Sequence, residues 1–175
     1  MARSFIGLGA NLGEPAQAFR QAALALEQVG RVVGGSSLYA SAPRDMADQP
    51  EFTNAALELE TDLEPADLLI TLKRLELTLG RDPQAVRFGP RVIDLDILAM
   101  EGRCLSDPEL DLVIPHPRLA ERRFALEPLA ELDPALRPWE ACGDERIAVT
   151  VADLLPSVAD QPARRITEWA DWTRP

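Results

Sequence analysis

Asp94 and Asp96 stand two residues apart in the run Arg87-Phe88-Gly89-Pro90-Arg91-Val92-Ile93-Asp94-Leu95-Asp96-Ile97-Leu98. That is the spacing at which side chains share one face of a β-strand. Two carboxylates held roughly 7 Å apart on one face repel unless positive charge lies between them. Hard carboxylate oxygens suit Mg²⁺, which fills the rest of its shell with water and phosphate oxygens. Arg81, Arg87 and Arg91 lie close by in sequence, and guanidinium forks match phosphate oxygens. Dicarboxylate plus arginines is the chemistry of a metal-complexed polyphosphate. An Asp-x-Asp pair alone is more often a solvated strand end or salt-bridge partner; the Gly-Pro-Arg lead-in and the surrounding arginines set this one apart.

Three further stretches offer chemistry. Phe52 and Asn54 share a strand face, and an aromatic beside an amide suits a flat, hydrogen-bonding heterocycle; an ordinary strand end with Asn54 capping a turn is the competing reading. His116, the single histidine, is held between Pro115 and Pro117, which restrict its backbone to extended conformations. With Arg122 and Arg123 nearby it could meet phosphate, or it could be structural, and Phe124 could be core. Lys73 and Glu76, at i,i+3, are either a surface ion pair or part of the site that Arg81 reaches.

The elements that must position these residues can be read from periodicity and punctuation. Ser4 to Gly9 reads as a strand ending in the loop Gly9-Ala10-Asn11-Leu12-Gly13, and Ala16 to Val29 as a helix behind Pro15, with Phe19, Ala22, Ala23 and Leu26 buried and Gly30 as its stop. Arg31 to Tyr39 is a second strand with a bulge at Gly34-Gly35. A polar, Pro-containing flap over Ala40 to Pro50 follows. Phe52 to Thr61 is the third strand: Thr53, Ala55, Leu57 and Leu59 share the core face, while Glu58 and Glu60 lie on the opposite, wet face. Pro65 to Leu79 forms the second helix on a Leu68-Leu72-Leu75-Leu79 stripe, with Lys73 and Glu76 off it and Gly80 as the stop.

Val92 to Leu98 is the fourth strand. Met100 to Arg103 makes a hairpin turn, with Cys104-Leu105 beginning the return. A short helical turn precedes Glu121-Arg122-Arg123-Phe124, and Ala125 to Leu136 is a short amphipathic segment. Beyond Arg137 the pattern weakens to a strand candidate at Ile147 to Val151, a helical turn at Ala152 to Leu155, and Trp169 and Trp172 packing on the body.

The order β-α-β-β-α-β plus a hairpin and a C-terminal extension is that of an α+β, ferredoxin-like sandwich: an antiparallel sheet with helices on one face. The other face is then open to carry Phe52, Asn54, Asp94 and Asp96, with strands one and four expected at its centre. At 175 residues the chain reads as one domain, 1–175.

Composition narrows the function. A net charge of −11 argues against a general nucleic-acid or anionic-membrane binder. All but one of the 18 basic residues is arginine. No apolar run approaches the roughly 20 residues of a membrane span, and the N-terminal residues carry no signal-peptide pattern. Cys104 and Cys142 make neither a disulfide framework nor a metal spacing, so the expectation is a cytoplasmic, monomeric protein with reduced thiols.

The run Arg87 to Leu98 resembles the signature of the 6-hydroxymethyl-7,8-dihydropterin pyrophosphokinase family of the folate pathway. Phe5-Ile6-Gly7-Leu8-Gly9-Ala10-Asn11-Leu12, Gln49-Pro50-Glu51-Phe52-Thr53-Asn54-Ala55-Ala56, Leu75-Glu76-Leu77 with Gly80-Arg81, and Ile114-Pro115-His116-Pro117 with Arg122 and Phe124 agree in order, over residues 4 to 136. The resemblance implies transfer of pyrophosphate from ATP to the pterin hydroxymethyl oxygen, with AMP released. Asp94 and Asp96 would bind two Mg²⁺ ions, and Arg81, Arg91, Asp94 and Asp96 would be catalytic. Lys73, Glu76, Arg87, Arg91, Ile97, His116 and Arg122 would meet ATP. Phe52 and Phe124 would sandwich the pterin, with Asn54 and the loop Ser41, Ala42, Pro43 and Arg44 at its edge.

The chain departs from the usual pattern at Ala10, Ser41-Ala42, Arg44, Pro83, Phe88 and Asp111. The competing readings are a nucleotide-sugar transferase, an RNA-binding ferredoxin-like module, which would need a basic sheet face with exposed aromatics, and a paralogue that acts on a modified pterin or binds pterin without catalysis.

Overall fold

The structure, a computed structural model, describes every residue of the chain except 45, 47, 87, 88, 144 and 169–175. Expectations for Arg87, Trp169 and Trp172 therefore lie outside the described residues.

Strand β1 (Ala2–Ala10) leads into helix α1 (Pro15–Leu26), then β2 (Arg31–Gly35), β3 (Leu38–Ser41) and β4 (Phe52–Thr61). Helix α2 (Pro65–Thr78), β5 (Asp94–Met100), a small hairpin β6 (Leu105–Asp107) and β7 (Leu112–Ile114), helices α3 (Arg123–Leu132) and α4 (Val151–Leu154), and β8 (Arg164–Thr167) complete it. The main sheet runs β5-β1-β4-β3-β8, with β2 also on β4, and its pairings are antiparallel. This is the expected α+β ferredoxin-like order.

Pro65 opens α2 without needing a backbone donor, and the helix ends on Gly80 in the left-handed region (φ 95°). There the Gly80 N–H bonds Leu77 O and the Arg81 N–H bonds Glu76 O, the two-bond glycine stop expected of the sequence. The turn reverses the chain and sends the Arg81 side chain back along the helix. Ile6, Leu8, Ala55, Leu57, Leu59, Leu95 and Ile97 form the core face of the sheet against Phe19, Ala22 and Leu26 of α1 and Leu68 and Leu72 of α2.

Several expectations are corrected. The strand from Arg31 to Tyr39 is two strands, and the register slips between Val32 and Gly34, so the bulge falls at Val33 and not at the Gly34-Gly35 pair, which stays in register with Glu58 and Leu57. Helix α1 ends at Leu26, before the turn that leads to Gly30. Strands β1 and β4 are central and β5 is an edge, so the fourth strand of the prediction is not central. The return after Met100 does not pair with β5: β6 pairs with β7, although the tight turn exists as Arg103 N–H to Met100 O. Ile147 to Val151 is turn leading into α4, not strand.

The second sheet face is only half open. Phe5, Leu98 and Ala99 are covered by Leu119, Leu126 and Leu129, with Trp139 and Val151 behind them. Glu58 is buried rather than wet, because Arg3 Nε lies 2.7 Å from its carboxylate; the Arg3 guanidinium also reaches Asp133 at 2.9 Å.

Cys104 and Cys142 form a disulfide, contrary to the expectation of reduced thiols without a framework. Their spacing gave no such signal. The fold brings the turn after β5 beside the short helical turn Glu140–Cys142, with the Cα atoms 5.1 Å apart. Closing a span of 38 residues contributes about 4 kcal/mol by chain entropy.

Candidate active site

The open half of the second face is a cleft of about 830 Å³. Its floor is made of glycine. In the register, Gly9 lies between Asn54 of β4 and Asp94 of β5, and Gly7 between Ala56 and Asp96. With no side chain rising from β1, the Leu98 side chain closes over Gly7, while at Gly9 Asn54 and Asp94 present their groups across an open trough. Glycines at alternate strand positions mark a close backbone approach, a signal present in Gly7 and Gly9 that the sequence reading left unused.

Of the residues expected to form the site, Ser41, Ala42, Arg44, Phe52, Asn54, Lys73, Arg81, Arg91, Asp94, Asp96, Ile97, His116, Arg122 and Phe124 line this cleft together. Pro43 and Glu76 do not line it. Glu76 is 2% exposed and stands on the buried stripe with Leu68 and Leu72, contrary to its expected place off that stripe. Leu75 and Leu79 pack against the core while remaining only partly buried.

The burial of Glu76 has a purpose at the sheet edge. The outer backbone groups of Leu95, which no strand pairs, are taken by α2. The Leu95 N–H donates to Glu76 Oε1 at 2.6 Å, and Lys73 Nζ donates to Leu95 O at 3.0 Å. Lys73 also lies 2.9 Å from Glu76 Oε1 and 3.6 Å from Asp96 Oδ1. Lys73 is therefore part of the site wall with Glu76 buried behind it, and the pair is not a bare surface contact.

Asp94 is the centre of the charge network. One Arg81 nitrogen lies 2.5 Å from Asp94 Oδ1 and 2.5 Å from Glu76 Oε2, and Arg91 reaches Asp94 Oδ2 at 2.7 Å. Burial works against the Asp94 charge, yet Arg81, Arg91 and Lys73 outweigh it and hold the carboxyl below its ordinary value. For Glu76 burial dominates and pushes the carboxyl up, against the pull of Lys73 and the Leu95 N–H. Lys73 and Arg81 lose solvation, but their acidic neighbours, Asp96 foremost for Lys73 and Asp94 for Arg81, hold both protons more tightly than usual.

Asn11 is a positioning residue the sequence reading did not single out. Its Oδ1 accepts the Arg91 N–H at 2.8 Å, and its Nδ2 donates to Gln49 Oε1 at 3.0 Å and Pro50 O at 3.1 Å. One side chain thus ties the Gly-Pro-Arg segment to the loop before β4. Asn54 is buried, its Nδ2 donating to Ser41 Oγ at 2.8 Å, which leaves its Oδ1 near the Gly9 floor.

Each aromatic ring on this wall carries a guanidinium: Arg91 lies 5.6 Å from the Phe52 centroid and Arg122 5.5 Å from that of Phe124. Delocalised cations favour such faces, and a flat heterocycle would present a similar surface. His116 is placed by the N–H it donates to Leu98 O at 2.9 Å, and its Nδ1 accepts the Arg118 N–H at 3.1 Å. Burial, then the charges of Arg122 and Arg118, lower its pKa against the opposing Asp96.

Within a chain of net charge −11 the cleft wall is net positive: Arg44, Lys73, Arg81, Arg91, Arg118 and Arg122 face Asp82, Asp94, Asp96 and Asp111. Such a wall attracts polyanions. Among the described residues no three His, Cys, Asp or Glu side chains converge as a complete metal cage. Two strand carboxylates suit a cation whose remaining ligands come from phosphate and water, so the donor set fits Mg²⁺ arriving with a nucleotide.

Two strand carboxylates beside arginines, in a cleft shared with two aromatic rings and a buried amide, suit a phosphoryl-type transferase. The 7,8-dihydro-6-hydroxymethylpterin-pyrophosphokinase (HPPK) family profile matches residues 5–134. The chain is 42% identical over 159 residues to the 2-amino-4-hydroxy-6-hydroxymethyldihydropteridine pyrophosphokinase of Methylorubrum extorquens, spanning 90% of this chain and 96% of that one. It is 43% identical over 137 residues to the Pseudomonas aeruginosa protein of the same name, 77% of this chain and 83% of that one.

Among solved structures, a Plasmodium falciparum HPPK-DHPS triple mutant superimposes with a TM-score of 0.68 at 14% identity, covering 91% of this chain and 43% of that one. The chain thus spans under half the length of that two-part protein, and the likeness to it is one of fold. The chain belongs to the HPPK family. It is a pyrophosphokinase.

Proposed function

We propose that this chain transfers the β,γ-pyrophosphoryl group of ATP to the hydroxymethyl oxygen of 6-hydroxymethyl-7,8-dihydropterin, giving the pterin diphosphate and AMP in folate biosynthesis. The observation that carries the reading is that Asp94 and Asp96 with their arginines, and Phe52, Asn54 and Phe124, line the same cleft.

In this reading Arg81 and Arg91 pass from the Asp94 carboxylate onto phosphate oxygens when the nucleotide binds, and Asp94 and Asp96 would hold the two Mg²⁺ ions. The chemistry that Mg²⁺ would supply there is neutralisation of phosphate charge and polarisation of the transferred group. Ile97, His116, Arg122 and Lys73 flank the nucleotide. Phe52 and Phe124 hold the pterin ring between them, and Asn54 and Ser41 read its edge. The hydroxymethyl oxygen attacks the β-phosphorus in line, the bond from that phosphorus to the α,β-bridging oxygen breaks, and AMP departs. The hydroxyl proton leaves to water, and positioning with charge neutralisation, rather than a dedicated base, carries the step.

Both half-sites come from one chain, so a monomer suffices. No helix among the described residues is long and apolar enough to cross a membrane; we place the reaction in the cytoplasm on the ground of its ATP alone, since the Cys104–Cys142 disulfide removes the reduced-thiol argument. The test is AMP formation from ATP and Mg²⁺ with and without the pterin. AMP that appears only with the pterin supports the reading; none from folded protein, at any metal concentration, overturns it.

A further inference from the structure

The C-terminal segment lies beyond residues 5–134, over which the family profile matches, and it meets the cleft at the heterocycle end. Gln161 is the meeting point. Its Nε2 donates to Glu121 O at 2.9 Å, and its Oε1 accepts the Arg123 N–H at 3.1 Å. That N–H opens α3 and has no cap from the preceding side chain, so Gln161 supplies the acceptor that a helix start requires. The Arg123 guanidinium returns the contact, donating to Ala159 O at 2.8 Å and Gln161 O at 3.0 Å.

Arg44 reaches the same spot from the opposite side. It donates to Glu121 O at 2.6 Å and lies 3.5 Å from Gln161 Oε1. Next along the segment, β8 pairs with β3, setting Arg164 opposite Ala40 and Arg165 opposite Tyr39, and Arg164 lies 3.7 Å from Glu51. The segment therefore touches both margins of the cleft: the loop that begins at Ser41, and the helix start that carries Phe124.

We infer that Gln161 is a positioning residue for the heterocycle, holding the Ser41-to-Arg44 edge and the Phe124 helix start at a fixed separation through the shared Glu121 carbonyl. The inference rests on the pterin reading above for the identity of the ligand. Arg44 serves the same tie. Fixing two walls that are distant in sequence lowers the ordering cost of the planar ligand between them, without adding any contact to the phosphates.

The test compares wild type, Gln161→Ala, Gln161→Glu and Arg44→Lys in steady-state turnover and in residue-resolved amide exchange without ligand. Gln161→Ala raises the pterin KM about three- to tenfold, the range expected of one or two hydrogen bonds. The ATP KM stays within about twofold of wild type, and exchange at Ala42 and Arg44 accelerates. Gln161→Glu keeps an acceptor for the Arg123 N–H but loses the Nε2 donor to Glu121 O, so its pterin KM lies between those of wild type and Gln161→Ala. Arg44→Lys, which keeps one donor for Glu121 O but loses the fork that also reaches Gln161, raises the pterin KM less than Gln161→Ala does.

A Gln161→Ala protein with a lower Tm but an unchanged pterin KM and unchanged exchange overturns the inference and leaves Gln161 a structural tie. The exchange measurement needs no turnover. A wild type that makes no pterin-dependent AMP overturns the ligand reading, while faster exchange in Gln161→Ala still upholds the tie between loop and helix.

Discussion

Glu76 Oε1 accepts the backbone N–H of Leu95 at 2.6 Å, and Leu95 is the residue between Asp94 and Asp96. A buried helix carboxylate thus takes the place of a neighbouring strand at the exposed edge of β5 and fixes the two aspartates relative to α2. Edge strands need such cover, and here the cover is part of the site.

Glu76→Ala leaves the Leu95 N–H and the Arg81 guanidinium without this acceptor, and the stability lost is about 3 kcal/mol, the upper range for a stranded buried donor. Glu76→Gln keeps an acceptor for Leu95 and loses less. Urea unfolding of both variants checks this; an alanine variant within about 0.5 kcal/mol of wild type, the scatter of neutral surface changes, contradicts it.

The glycine floor is tested at Gly9. A Cβ built there meets Asn54 Oδ1 at 3.7 Å and Asp94 Cβ at 4.0 Å, ordinary contacts that the fold accepts, and alanine is favoured over glycine in a strand by about 0.5–1 kcal/mol. Gly9→Ala therefore keeps or slightly raises the Tm while the methyl fills the trough and weakens ligand binding about tenfold or more, the scale of one overpacked contact. Unchanged KM values for both substrates would sink the claim that the trough is used.

Much of this was legible in the sequence because it rests on local rules. Pro65 and Gly80 bracket α2 by backbone chemistry alone, and the alternation from Phe52 to Thr61 assigns both faces of β4. The Asp94–Asp96 pair and its arginines follow from strand period and charge. What escaped depends on tertiary partners. Glu76 reads as a surface residue until the unpaired edge of β5 is seen, and Glu58 reads as wet until Arg3 is placed beside it. The Cys104–Cys142 bond joins segments that only the fold brings together. The β5 edge position and the β6–β7 hairpin are matters of pairing, which periodicity does not encode. β8 pairs with β3 through a short, exposed Arg-rich strand whose sequence carries no burial pattern.

His116 gives the pH dependence. Its folded pKa lies below the ordinary 6.5, from burial first and then Arg122 and Arg118. The unfolded chain therefore takes up this proton at a higher pH than the folded one, and the contribution is fully present above about 6.5 and lost as pH falls through the folded value. With a single histidine in the chain, one imidazole resonance followed by NMR reports the folded pKa. His116→Gln flattens the stability slope just below that window. A resonance titrating above 6.5 contradicts the assignment.

The most direct test of the shared cleft is AMP formation by Asp96→Ala beside wild type, with ATP, Mg²⁺ and the pterin present, and pterin binding measured in parallel. Asp96 is partly exposed at the cleft and carries little of the fold, so the variant folds. It is expected to lose at least about a hundredfold in turnover, the scale of one electrostatic group at a transferring phosphate, while still binding the pterin. An Asp96→Ala enzyme that turns over at the wild-type rate contradicts the account.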